Sequence, residues 1–115
     1  MDIVRDFGQA ARRDEALMGE LIRIMTGFLK NEEDGIVEWE MDTEAGTLMV
    51  GFSTGGSEAG LFTEGGDEII LEDGLRGELE READRIMDEA KEDAEEGIEG
   101  EQAIRDTEEA LWRWR

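Results

Sequence analysis

Val37-Glu38-Trp39-Glu40-Met41, then Asp42-Thr43-Glu44-Ala45-Gly46, then Thr47-Leu48-Met49-Val50-Gly51-Phe52 is the stretch on which the fold turns. Val37, Trp39 and Met41 alternate with Glu38 and Glu40, and Leu48, Val50 and Phe52 repeat the spacing of two. Successive side chains of a strand point to opposite faces, so this period predicts two strands, each apolar on one side and wet on the other. Asp42 to Gly46 reads as a five-residue hairpin loop between them. Further along, Leu61-Phe62-Thr63 and Ile69-Ile70-Leu71 predict two short strands joined through Glu64-Gly65-Gly66-Asp67. Residues 53–60, with three glycines, read as a flexible loop.

The period before this stretch is helical. Phe7, Ala11, Leu17, Met18, Leu21, Ile22, Met25, Phe28 and Leu29 recur at three- and four-residue spacing, predicting one helix of twenty residues or more that ends near position 31. Asp14 interrupts its apolar face. After the sheet, Leu75, Leu79, Ala83, Ile86, Met87, Ala90 and Ala94 form the seam of a helix over residues 75–96. Gly97 and Gly100 then predict a break, followed by a short helix from about residue 101. The expected architecture is a single α+β domain over residues 1–115. It has an N-terminal helix, a three- to four-stranded antiparallel sheet and two C-terminal helices.

Charge divides the chain unevenly. Residues 31–74 carry thirteen carboxylates and no lysine or arginine, whereas the first thirty balance five acids with five bases. The last forty-one hold fifteen acids and seven bases, within a formal total of −21. So large a negative charge opposes direct contact with DNA, RNA or anionic lipid and favours a basic protein partner. On the 75–96 helix, six pairs of acids stand four residues apart, among them Glu78–Glu82, Glu89–Asp93 and Glu92–Glu96. Each costs about 0.2–0.5 kcal/mol when exposed. Together they reach on the order of 1–3 kcal/mol, a noticeable share of the roughly 5–15 kcal/mol of a small domain. Solubility alone does not require that repulsion.

Three readings account for it. The first is a stoichiometric inhibitor that mimics nucleic acid and occupies the binding channel of a basic nucleic-acid-binding protein or nuclease complex. Its candidate contacts are Glu32, Glu33 and Asp34 before the first strand, and Glu78, Glu82, Glu89, Asp93 and Glu96 on the helix. Trp112 and Trp114, beside Arg113 and Arg115, add aromatic and cationic groups of the kind enriched at interface hot spots. Small acidic phage inhibitors of bacterial restriction and CRISPR defence resemble this chain in length, charge and absence of cysteine. The second reading is adaptation to high salt, with which two lysines against ten arginines agree. The third is a chaperone or adaptor for a partner polypeptide. The order helix, antiparallel strands, helix in a small acidic chain resembles that of bacterial secretion chaperones, which are dimers that wrap an unfolded effector segment. Homodimerisation through the apolar first helix is a secondary expectation.

Enzymatic readings find little support. Histidine and cysteine are both absent, which removes the usual base near neutral pH, any Ser–His–acid triad, and thiolate chemistry. Ser53 and Ser57 have no evident base, and the acid-rich loops do not fit the calcium-binding loop pattern. No cofactor and no dedicated metal site are expected. The opening residues lack the apolar stretch of a secretion signal, and nowhere do eighteen apolar residues run together. A cytoplasmic protein without a membrane span is expected.

Overall fold

A computed structural model describes residues 2–113, with side chains up to residue 98. Its elements are α1 (Ile3–Arg13), α2 (Glu15–Asn31), β1 (Ile36–Thr43), β2 (Gly46–Ser53), β3 (Gly56–Phe62), β4 (Glu68–Ile69) and α3 (Asp73–Arg113). The four strands form one antiparallel sheet in the order β1-β2-β3-β4. The chain is therefore α+β as expected, but two helices precede the sheet and one follows it, the reverse of the expected count at each end.

Asp14 divides the first helix. Its extended backbone (φ −81°, ψ 97°) closes α1 and opens α2, and Oδ1 accepts the Leu17 amide at 3.1 Å, the bond of a helix N-cap. Oδ2 accepts the Trp39 indole N–H at 2.9 Å, so a strand residue anchors the break. An aspartate on a helix's apolar face competes with the backbone for its own amides, and here the competition wins. The apolar side chains still converge. Phe7 and Ala11 of α1 join Leu17, Leu21, Ile24 and Met25 of α2 in the core.

The register pairs Val37 with Phe52, Trp39 with Val50 and Met41 with Leu48, so the period-two residues share the inner face. Phe7 packs against both Trp39 and Phe52, with ring centroids 5.7 and 6.4 Å away. The hairpin is tighter than the five-residue loop expected. Thr43 pairs with Gly46, leaving only Glu44 and Ala45 at the turn. The Thr43 hydroxyl donates to the Gly46 carbonyl at 2.6 Å and accepts its amide at 3.1 Å. Gly46 has φ +146°, and a Cβ there would collide with the Phe62 carbonyl oxygen.

Residues 53–60 are not a flexible loop. Only Thr54 and Gly55 turn, and β3 begins at Gly56 and continues through Phe62. Glycine, serine and alanine carry weak strand signals, but the small inward Ala59 is buried, and α3 packs on this strand. At the other end β4 pairs only Glu68 and Ile69, with Ile70 95% exposed beyond it.

α3 runs unbroken through Gly97 and Gly100. A glycine costs about 1 kcal/mol in a helix against alanine, yet it keeps its N–H. The sequence around these two offers no proline to remove one and no Ser, Thr, Asp or Asn to cap a new start. Forty-one residues at about 1.5 Å each make a rod of about 61 Å, close to the 66 Å long axis of the molecule. Leu79, Ala83, Ile86, Met87, Ala90 and Ala94 are the buried seam by which it joins the core. Among the described residues, no helix is long and apolar enough to cross a membrane.

Candidate interaction surface

The helices cover the inner face of the sheet, which leaves two acidic regions outside: the exposed part of α3 and the outer face of the strands. They differ in how far the fold neutralises them.

On α3, one flank is crossed by Arg12 of α1. Its guanidinium donates to Glu82 Oε1 at 2.6 Å and, through Nε, to both Glu89 oxygens at 3.0 Å. Arg85 donates to the second Glu82 oxygen at 2.9 Å. The Glu82 side chain is only 12% exposed. That burial would raise its pKa, but the hydrogen bonds from Arg12 and Arg85 more than offset it, and the carboxyl is held below its ordinary value. The hydrogen bonds to Glu89 and Glu82 push Arg12 upward in turn. Gly8 makes the approach feasible: a Cβ there would lie 2.5 Å from Glu82 Oε1 and 2.8 Å from an Arg12 nitrogen.

Two expected contacts, Glu82 and Glu89, thus already hold an internal partner. Glu78, Asp93 and Glu96 are exposed on the same helix. Glu32 ends α2 in the left-handed conformation (φ 58°), with its amide bonded to the Phe28 carbonyl at 2.9 Å. Glu33 is exposed beside it. Asp34 accepts the Thr54 hydroxyl at 3.0 Å, tying the α2–β1 connection to the β2–β3 turn. These three sit together at one corner, where Thr54, the partner of Asp34, shares a hollow with Asp84, Asp88 and Lys91 of α3. The Trp112 side chain and Trp114 lie outside the described residues.

The outer sheet face was not assembled as a site from the sequence. Glu38, Glu40 and Asp42 of β1, Glu58 of β3 and Glu68 of β4 are all exposed there. The register sets Glu38 and Glu58 on either side of Gly51, and Glu40 beside Met49, which is followed by Gly60. The ring of Phe62 lies over Gly60, 3.1 Å from where a Cβ would stand. The outward residues of β2 are Thr47, Met49, Gly51 and Ser53, none of them charged. The face is therefore a shallow uncharged trough along β2 between the three carboxylates of β1 and Glu58 of β3.

Strands lie about 4.8 Å apart, so Glu38 and Glu58 stand near 9.6 Å, where two charges repel by about 0.4 kcal/mol in water before salt screening. Among the described residues, Glu38, Glu40, Glu58 and Glu68 have no ion pair. Arg76, which borders the hollow, donates instead to Glu80 at 3.3 Å.

Other chemistry is sparse. Among the described residues, no group of three or more acids is placed to hold a metal ion. Ser53 and Ser57 lie on strands: the first hydroxyl donates to the Gly56 carbonyl, and the second is buried without a hydrogen-bond partner. Compared with protein-family models, curated proteins and solved structures, the chain matches none.

Proposed function

We propose that the chain is a non-enzymatic, stoichiometric inhibitor, acting in the cytoplasm, that offers carboxylates to a basic protein surface which otherwise holds nucleic acid. The observation that supports it most is the trough of β2 flanked by carboxylates, on strands that hold no lysine or arginine, with Arg76 of α3 at its border bonded to Glu80. A lysine- or arginine-bearing ridge laid along β2 would meet carboxylates on both sides. The β1 row repeats every two residues, about 6.8 Å, and the strand runs for about 27 Å. Over that length duplex DNA carries roughly sixteen charges, of which about half face one way. Five sheet acids, with Glu44, Glu64 and Asp67 at the turns, present a comparable number. Glu32, Glu33, Asp34, Glu78, Asp93 and Glu96 would extend the field around the edges.

A salt-adapted surface is the second reading, favoured by the placement of acids on two sides of the molecule. Asp84, Asp88, Glu92 and Glu95 project from α3 opposite its buried seam, while the sheet acids face the other way. The test is capture of basic proteins at about 50 mM salt, release at higher salt, and competition for the captured protein with its own DNA or RNA. Displacement of the nucleic acid at a one-to-one ratio, lost on Glu38→Lys with Glu58→Lys, supports inhibition. A chain that captures nothing and unfolds when salt is removed supports salt adaptation. A complex indifferent to reversal of the sheet acids, and insensitive to salt, supports the adaptor instead.

A further inference from the structure

At the end of the molecule where α3 begins, an open groove of about 640 Å³ runs between α1 and the β1–β2 hairpin. Its walls are apolar, with Ile3, Met41 and Leu75 among them, and its border carries Asp6, Asp42 and Glu44 and, among the described residues, no lysine or arginine. That volume lies within the roughly 300–1,000 Å³ of sites that enclose a compact ligand. What fits is a large apolar side chain with positive charge beside it.

The chain itself contains such a segment: Leu111-Trp112-Arg113-Trp114-Arg115. Its described part stands far from the groove of the same copy. From Leu75, in the groove wall, to Arg113 the helix climbs thirty-eight residues, about 57 Å. We infer that this groove receives the 111–115 segment of a second copy, an indole entering the apolar cleft while Arg113 and Arg115 meet Asp6 and Glu44. Groove and tail are equally far apart in both copies, so two such contacts close a two-fold pair.

The size of the contact sets its strength. One buried indole covers about 150–250 Å², and with the groove surface it covers the pair of contacts totals about 600–1,000 Å². That is below the roughly 1,200–2,000 Å² of stable interfaces, so a reversible dimer at micromolar to tens-of-micromolar concentration is expected. A charge of −21 on each copy opposes association. At about 0.15 M salt, screening over roughly 8 Å weakens that long-range repulsion while adjacent opposite charges still attract.

Sedimentation of the full chain at 10–100 μM, on the order of the concentrations just argued, tests this in about 0.15 M salt. Arg113→Glu with Arg115→Glu, and separately Asp6→Lys with Glu44→Lys, should each weaken association at least about tenfold, a loss of about 1.4 kcal/mol. Asp6 and Glu44 are exposed and outside the core, and all four changes replace one charged residue by another, so circular dichroism should remain unchanged. Mixing the two variants should restore a heterodimer, because the reversed tail then faces the reversed groove. A wild-type chain that stays monomeric overturns the inference, as does a dimer indifferent to either reversal or a mixture that fails to associate. A monomer whose groove takes up a synthetic leucine–lysine peptide would give the groove to a different protein and overturn it too.

Discussion

The α3 flank and the outer sheet face look alike in composition, yet the fold treats them differently. On α3, Arg12 comes from seventy residues away in sequence to join Arg85 over Glu82, and also takes Glu89. On the sheet, Glu38 and Glu58 stand across Gly51 and, among the described residues, form no ion pair. The first set of acids holds helices together. The second does nothing evident for the fold, which makes it the better candidate for work outside it. A row of carboxylates in sequence says how much charge is present, while the bases that other elements bring determine how much remains available.

Predictions that separate the two regions follow in order of size. Glu38→Lys with Glu58→Lys should weaken a captured basic partner about a hundredfold or more, near 3 kcal/mol, with the melting temperature unchanged or raised. Competition binding and thermal unfolding of the same sample read both outcomes. Arg12→Ala should do the opposite. It leaves a largely buried Glu82 with Arg85 alone and should cost on the order of 1–3 kcal/mol in urea unfolding, with little effect on the partner.

Asp14→Ala removes both the α2 cap and the acceptor of the Trp39 indole. Two bonds of that kind are worth about 1–2 kcal/mol together, and a change in Trp39 fluorescence should accompany the loss. Trp39 is shown to sit against Asp14, but neither its indole bond nor the break in the helix was evident in the sequence. The apolar period of residues 7–29 is continuous enough to suggest one helix, and what divides it is the Asp14 carboxylate, which caps the Leu17 amide and is anchored by an indole twenty-five positions away. The strands were more legible. Val37, Trp39, Met41, Leu48, Val50 and Phe52 lie on one face because period two leaves no alternative once that face is buried. The same alternation turned Glu38 and Glu40 outward, but their neighbour Glu58 came into view only with β3. That strand is hidden in sequence by Gly56, Ser57, Ala59 and Gly60, whose strand tendency is weak.

Acid should also distinguish the regions. Glu82 and Asp14 titrate below their ordinary values in the fold, Glu82 through Arg12 and Arg85 against its own burial, Asp14 through the Trp39 indole and the Leu17 amide. A depressed folded pKa binds fewer protons than the unfolded chain, so its stabilisation is complete above the ordinary carboxylate range and is lost as pH falls through the folded values. Denaturation curves should show stability declining below about pH 4–5, with a smaller decline in Glu82→Gln. The smallest effect belongs to α3. Gly97 has open space around it, and Gly97→Ala should raise stability or helicity by up to about 1 kcal/mol if the helix is continuous. A helix broken at that position would gain nothing.

The most direct measurement is the salt dependence of partner affinity for the wild-type chain, for Glu38→Gln with Glu58→Gln, and for Asp88→Gln with Glu92→Gln. If the sheet is the working face, removing its two charges lowers the slope of log affinity against log salt by about 1–2, whereas the α3 pair leaves it nearly unchanged. Equal slopes for the wild type and the sheet variant, with the loss appearing in the α3 variant, would contradict the assignment.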